Sequence, residues 1–183
     1  MSNKIALFVG PSGSGKSTVA KYMMDTFGLT QIDSYTTRAR RYLNEGGHTY
    51  ISDEEFDRLT DMVAYTEFDG HRYCATTQQV EENDIYVVDV AGVEYFKEHY
   101  HGKQDVYVFY FSVSPEMLRD RMAARGDGGL ALIQRIQNDI VMFANAEARL
   151  KALYPNTFVI NNESVDTTAV SIWNILQEGK GHG

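Results

Sequence analysis

The chain predicts an α/β fold, a doubly wound parallel sheet flanked by helices, and three observations carry that prediction. Near-continuous apolar runs recur at Lys4–Val9, Ile85–Asp89, Asp105–Phe111 and Thr157–Ile160, as expected of parallel strands covered on both faces. Helical patterns fall between them at Ala91–Tyr100, Pro115–Ala124, Leu130–Leu153 and Asp166–Gln177. Such alternation of strand and helix is the signature of a layered α/β sheet.

Taken in order, Lys4–Val9 reads as a short buried strand, and a glycine-rich loop, Gly10–Thr18, follows at once. Val19, Met23 and Phe27 then recur at four-residue spacing, one face of a helix. The stretch from Ser34 to Glu82 is polar and rich in Tyr, Thr and Arg, with no strong apolar run. It reads as a small insertion, irregular or antiparallel, that caps the carboxyl end of the sheet. Ser114-Pro115 and Asp166 supply start signals for the later helices. Arg125-Gly126-Asp127-Gly128-Gly129 separates two helical patterns and reads as a hinge or lid, and Gly179–Gly183 as a frayed end. The expected organisation is one domain over 1–183: a core of 1–33, 84–124 and 141–183, an insertion of 34–83 and a lid of 125–140.

At 183 residues, 43% of them hydrophobic, the chain can bury a continuous core without disulfides or a structural metal. Its single cysteine, Cys74, cannot form an internal disulfide, and the N-terminus lacks a signal-peptide pattern. A cytoplasmic location is expected. No apolar run approaches the roughly 20 residues of a membrane span. The net charge of −8 disfavours a nucleic-acid binder. Basic residues are nevertheless clustered, at Arg38, Arg40 and Arg41 and again at Arg119, Arg121 and Arg125, which suits small anionic ligands. The histidines at 48, 71, 99, 101 and 182 lack metal-ligand spacing, and Cys74 lacks an activating base.

Gly10, four residues, then Gly15-Lys16-Ser17, placed between a strand and a helix, matches the phosphate-loop pattern. Gly10, Ser12, Gly13, Ser14, Gly15 and Thr18 are expected to turn backbone N–H groups toward nucleotide phosphates, and the helix N-terminus adds partial positive charge. Lys16 should reach the β- and γ-phosphates, and the Ser17 hydroxyl is the expected Mg²⁺ ligand.

Four further blocks follow in order: Ser34-Tyr35-Thr36-Thr37-Arg38-Ala39-Arg40-Arg41, Tyr50, Glu67-Phe68-Asp69-Gly70-His71-Arg72-Tyr73, and Asp89-Val90-Ala91-Gly92. Together with the loop they resemble guanylate kinase along nearly the whole chain, and with it the P-loop kinase fold. The resemblance implies that Ser34, Arg38, Arg41, Tyr50 and Tyr73 bind the 5′-phosphate of an acceptor nucleotide. Guanidinium forks and hydroxyls suit a phosphate dianion. Glu67 is the expected reader of the base, because a carboxylate can accept from guanine N1–H and N2–H₂ together, whereas adenine offers an acceptor at N1. Asp89 suits either the metal's hydration shell or the acceptor nucleoside. Arg121, Arg125 and Arg135 resemble the arginines that close over ATP, with Asn161 as an adenine contact. Lys16, Arg38, Arg125 and Arg135 are the expected neutralisers of charge on the transferring group.

Several positions depart from the family pattern. Ala75 stands where a hydroxyl is usual, leaving Thr76 or Thr77 to supply that contact. Val87 replaces an acid two residues before Asp89, Ala91 a glutamine and His71 an asparagine, and the lid is about one residue shorter. The resemblance implies phosphoryl transfer from Mg-ATP to GMP or dGMP, with ATP and GMP as the partners and no nucleic acid or membrane. The alternatives are another nucleoside monophosphate or a ribose bisphosphate as acceptor, or a non-catalytic protein-binding module. The intact Gly15-Lys16-Ser17 weighs against the module.

Overall fold

In the computed structural model of the chain, residues 3–43, 45–124, 136–139 and 141–178 are described. The elements run β1 (Lys4–Val9), α1 (Lys16–Phe27), β2 (Ser34–Thr36), β3 (His48–Tyr50), α2 (Asp53–Phe56), β4 (Thr66–Phe68) and β5 (His71–Cys74). Then come α3 (Thr77–Glu82), β6 (Ile85–Val87), α4 (Val90–His99), β7 (Asp105–Ser112), α5 (Pro115–Ala124), α6 (Ala146–Leu153), β8 (Thr157–Asn161) and α7 (Val165–Glu178).

The alternation of side chains along β1 organises the core. Ile5, Leu7 and Val9 face one side of the sheet, where they pack with Val93 and Phe96 of α4 and Ala146 and Leu150 of α6. Ala6 and Phe8 face the other side, against Val19, Ala20 and Met23 of α1 and Ala169, Ile172 and Leu176 of α7. Both faces of a central strand are thus buried, which is why β1 reads as a continuous apolar run. The sheet is parallel, in the order β6–β1–β7–β8. Phe8 meets the rings of Phe109 and Phe111 at 5.8 and 5.1 Å, and removing such a ring costs roughly 3–5 kcal/mol. The sheet and its two helical layers are those expected.

The stretch after β2 contains a second sheet, in the order β3–β2–β5–β4. It is mixed rather than irregular: β2 pairs parallel with β3 and antiparallel with β5, and β4 with β5 antiparallel. Its strands have only three or four residues, too few to show a periodicity in sequence. Asp69 and Gly70 close the β4–β5 hairpin with φ of 53° and 74°, the pair of positive values that a tight hairpin turn requires.

Two expectations about helices change. Leu130–Leu153 is not one helix over its described part: helical residues 136–139 are followed by a turn at 143–145, and α6 begins after Asn145, whose φ is 55°. Asparagine tolerates this left-handed conformation better than most residues. The strand expected through Asp89 stops at Val87, and Asp89 caps α4 instead. The hinge at Arg125–Gly129 and the end at Gly179–Gly183 lie outside the described residues. Among the described residues no helix is long and apolar enough to cross a membrane.

Candidate active site

The site begins where β1 delivers Gly10 to the start of the loop. A Cβ on Gly10 would come within 2.7 Å of the Phe111 carbonyl oxygen, so only glycine lets the loop lie this close to β7. Gly15, with φ of 92°, caps α1 with no side-chain hydrogen bond to the helix's first N–H groups. The start of such a helix, at the positive end of its dipole, favours an anion. Lys16 folds back along the loop, its Nζ donating to the Gly10 carbonyl at 2.6 Å and the Pro11 carbonyl at 2.9 Å and lying 3.2 Å from Ser14 Oγ. Ser17 and Thr18 are exposed on the first turn of α1.

A cavity lies on each side of this loop. The first, of about 250 Å³, is bounded by Gly10, Ser12 and Lys16, by Ser34, His48, Thr66, Phe68 and Tyr73 of the second sheet, and by Val87, Asp89, Asp139 and Phe143. The second, of about 340 Å³, is bounded by Gly13, Gly15, Thr18, Arg121, Asn162, Glu163 and Val165. Phosphate-binding backbone between two cavities is an arrangement for two ligands that meet end to end.

The second cavity brings a neighbour of Asn161 to the loop. Asn161 is exposed at the end of β8, and it is its neighbour Asn162 that reaches the loop. Asn162 is buried, donates from Nδ2 to the Ser14 carbonyl at 2.8 Å, and blocks any Cβ at Gly15. Arg121 donates to the Asn162 carbonyl at 2.7 Å and the Ser14 carbonyl at 3.3 Å. It therefore stands beside the glycine-rich loop. Arg125 and Arg135 lie outside the described residues.

On the first cavity, Ser34, Tyr73 and Asp89 lie together on the wall. Arg38, Arg41, Tyr50, Glu67 and Thr76 are not on its wall. Arg38 gives its guanidinium fork to Glu45, at 2.8 and 3.2 Å. The Arg41 backbone N–H donates to the same carboxylate at 2.7 Å, while the Arg41 side chain is largely exposed. Arg38 holds the Glu45 carboxyl at about 2, well below the usual carboxylate range. Tyr50 lies under Arg40 and Arg38, 4.7 and 5.5 Å from its ring centre, so the arginine cluster forms a layer beside the cavity.

Local structure holds Glu67 and Thr76 off that wall. Thr66 and Phe68 face the cavity, and strand alternation turns the intervening Glu67 away, where it is exposed and accepts a hydrogen bond from Tyr65. Thr76 caps α3: its hydroxyl accepts from Gln79 N–H while Gln79 reaches back to the Thr76 N–H. The carboxylates on the cavity's wall are Asp89 and Asp139. Asp89 is the more deeply placed in the fold. It caps α4, accepting from the Gly92 N–H at 2.6 Å, and burial raises its pKa against that bond and one from Thr66. Ala75 is fully buried in the core. Burial also pushes the Cys74 thiol up to about 12, which removes it from consideration as a nucleophile.

The residues that sequence reasoning missed are His48, Glu45, Asp139 and Asn162. Asp139 accepts from the Ser12 N–H at 2.9 Å and so touches the loop from the opposite wall. His48 had a signal in the sequence, since it precedes Tyr50 by two and shares its strand face. Glu45 follows Arg41 by four, the spacing of an ion pair, within a segment that reads as loop.

A phosphate loop at the carboxyl edge of a doubly wound parallel sheet, with a cavity on each side, defines the class of P-loop nucleotide-binding proteins. A sequence-family model described as the AAA domain matches residues 7–136. The guanylate kinase of Porphyromonas gingivalis is 32% identical over 72% of this chain and 77% of its own length. That of Helicobacter pylori is 28% identical over 97% of this chain and 89% of its own. The crystal structure of guanylate kinase from Anaplasma phagocytophilum covers 98% of this chain, and 87% of its own, with a TM-score of 0.65 at 22% identity, a likeness of fold. The chain belongs to the guanylate kinase family, and its residues 7–136 carry the AAA-domain pattern.

Proposed function

We propose that this chain transfers the γ-phosphoryl group of ATP to the 5′-phosphate of GMP or dGMP, giving ADP and GDP or dGDP. The observation that carries the reading is the phosphate loop standing between two cavities, with Ser34, Tyr73 and Asp89 across from it in the first. ATP occupies the second cavity, with its adenosine toward Arg121, Asn162 and Val165 and its phosphates along Gly13–Thr18. The acceptor occupies the first, its phosphate toward Ser34 and Tyr73 and its base toward Thr66, Phe68 and Asp89.

No protein base is needed, because an acceptor phosphate oxygen is already a nucleophile. The chain's work is to align the two phosphates and neutralise their charge. Lys16 leaves the Gly10 and Pro11 carbonyls for the phosphate oxygens. Arg121, and Arg125 and Arg135 of the proposed lid over 125–140, add positive charge and exclude water. The exposed Ser17 hydroxyl beside Lys16 is a hard oxygen donor, which fits Mg²⁺, an ion that keeps several waters and takes few protein ligands. When bound with ATP, that ion polarises the β- and γ-phosphates. The division into a core of 1–33, 84–124 and 141–183 and an acceptor-binding insertion of 34–83 follows the boundary between the two sheets. A cytoplasmic location is favoured by the buried free thiol of Cys74.

A second reading has an observation of its own. Glu67 faces away from the cavity and Ala75 lies in the core, so guanine has fewer polar partners than the sequence promises. Another nucleoside monophosphate, or a ribose bisphosphate, is the rival acceptor. Release of ADP from Mg-ATP, measured in turn with GMP, dGMP, AMP, CMP, UMP, dTMP and ribose 1,5-bisphosphate, separates the readings. GMP and dGMP are expected to give the fastest rates.

A further inference from the structure

The second sheet places a histidine among the groups that the family resemblance assigns to the acceptor phosphate. The β2–β3 register sets His48 opposite Ser34 and Tyr50 opposite Thr36. His48 Nδ1 is 2.9 Å from Ser34 Oγ. Its ring packs between Tyr50 and Tyr73, with centroids at 6.0 and 5.6 Å, and forms part of the first cavity's wall. Nδ1 is committed to Ser34, which leaves Nε2 as the polar atom of the ring available to a ligand. Arg38, by contrast, has its fork on Glu45.

We propose that His48 is a further acceptor-binding residue, and that it takes up a proton from solvent when the acceptor's phosphate dianion binds. The inference rests on reading the first cavity as the acceptor site. In the free protein burial, and then the Arg38 cation, hold the His48 pKa below its ordinary value, against the weaker pull of the Glu45 and Asp33 carboxylates. Across the cavity stand the Lys16 cation and the Asp89 and Asp139 carboxylates. The imidazole is therefore neutral near pH 7. A phosphate dianion against the ring reverses the balance. It favours imidazolium, with Nδ1–H donating to Ser34 Oγ and Nε2–H to a phosphate oxygen. The sheet thereby gains a cation only when the acceptor is present, in place of a second buried arginine.

The test is calorimetry of GMP binding to the whole chain at pH 7.5, in two buffers of different ionisation enthalpy. A phosphate monoester has a second pKa near 6, so binding its dianion alone releases protons. Net proton uptake by wild type, absent in His48→Gln, is the expected result. The ratio of the two proteins' GMP affinities should widen several-fold from pH 8.5 to 6.5, because a pKa raised on binding strengthens affinity only as pH falls to that pKa and below, by about tenfold at most for each unit of rise. GMP binding without uptake overturns the inference and leaves the proposed function standing, as does a ratio that stays constant with pH. Absence of GMP binding by wild type overturns both. If His48→Gln does not fold, the wild-type measurement alone decides, because net release is the result expected without an ionising histidine.

Discussion

Glu45 holds the Arg38 guanidinium end-on, with Oε1 2.8 Å from one terminal nitrogen and Oε2 3.2 Å from the other. The carboxylate side chain is only 8% exposed, and the Arg41 backbone N–H bonds it as well. A buried pair of this kind is costly to break from one side, because the remaining charge loses its partner. The loop between β2 and β3, which carries all three residues, is thereby held closed on itself.

This pair makes stability depend on acid. Glu45 is held at about 2 by Arg38, below its value of about 4.3 in an unfolded chain. A depressed carboxyl stabilises the fold fully above the unfolded value, and that stabilisation is lost as pH falls through the folded one. Glu45→Gln removes the titration. Urea unfolding should find wild type more stable than the variant at pH 6, with the gap closing between about pH 4.5 and pH 2. An equal gap at pH 6 and pH 3 would show that the pair is not the source.

Gly15→Ala should harm the loop in two ways. Alanine is strained at φ of 92°, by about 1–3 kcal/mol, and its Cβ would strike the Asn162 amide. Thermal unfolding and ATP titration should both worsen. Adding Asn162→Ala removes the collision but not the strain, so the double variant is expected to bind ATP better than Gly15→Ala alone. Identical affinities would rule out the contact as a cause.

Glu67 and Asp89 should separate in kinetics. With its side chain outside the cavity, Glu67→Gln is expected to leave KM for GMP within about twofold of wild type, less than the roughly 1–3 kcal/mol of a lost buried polar contact. Asp89→Asn retains a helix cap but loses the carboxylate, and its KM for GMP should rise about tenfold, the same energy read as affinity. The reverse ranking would put Glu67 back on the base.

Much of the fold was legible in the sequence because a central parallel strand is buried on both faces. Ile5 to Val9 and Val106 to Phe111 leave no polar alternation to misread. The second sheet was not legible, since strands as short as Ser34–Thr36 and Thr66–Phe68 carry too few residues for a period. The placement of side chains at the site was not legible for a related reason: it turns on single residues. One residue of register turns Glu67 away from the cavity, and the residue just past β8, Asn162, is the one bonded to the loop. Thr76 looked like a ligand and is a helix cap, a role open to any hydroxyl three residues before a glutamine. The phosphate loop was legible in full, because its function depends on backbone geometry that a local glycine pattern specifies.

Lys16→Ala should retain the fold and lose the chemistry. In the free protein Lys16 bonds carbonyls of its own loop, so its role in stability is small beside its role in neutralising phosphate charge. Removing one such preorganised group typically costs about 10²–10³ in kcat. Circular dichroism and the thermal midpoint should stay close to wild type while turnover falls by that factor. Undiminished turnover would remove the loop lysine from the mechanism.

The central claim is that the phosphoryl group passes from one cavity to the other. ATP labelled at the γ-phosphate, incubated with Mg²⁺, GMP and the protein, follows that group directly. The label is expected in GDP, with little label in inorganic phosphate and almost no ATP consumed when GMP is omitted. Label released as inorganic phosphate at the same rate with and without GMP would contradict the account.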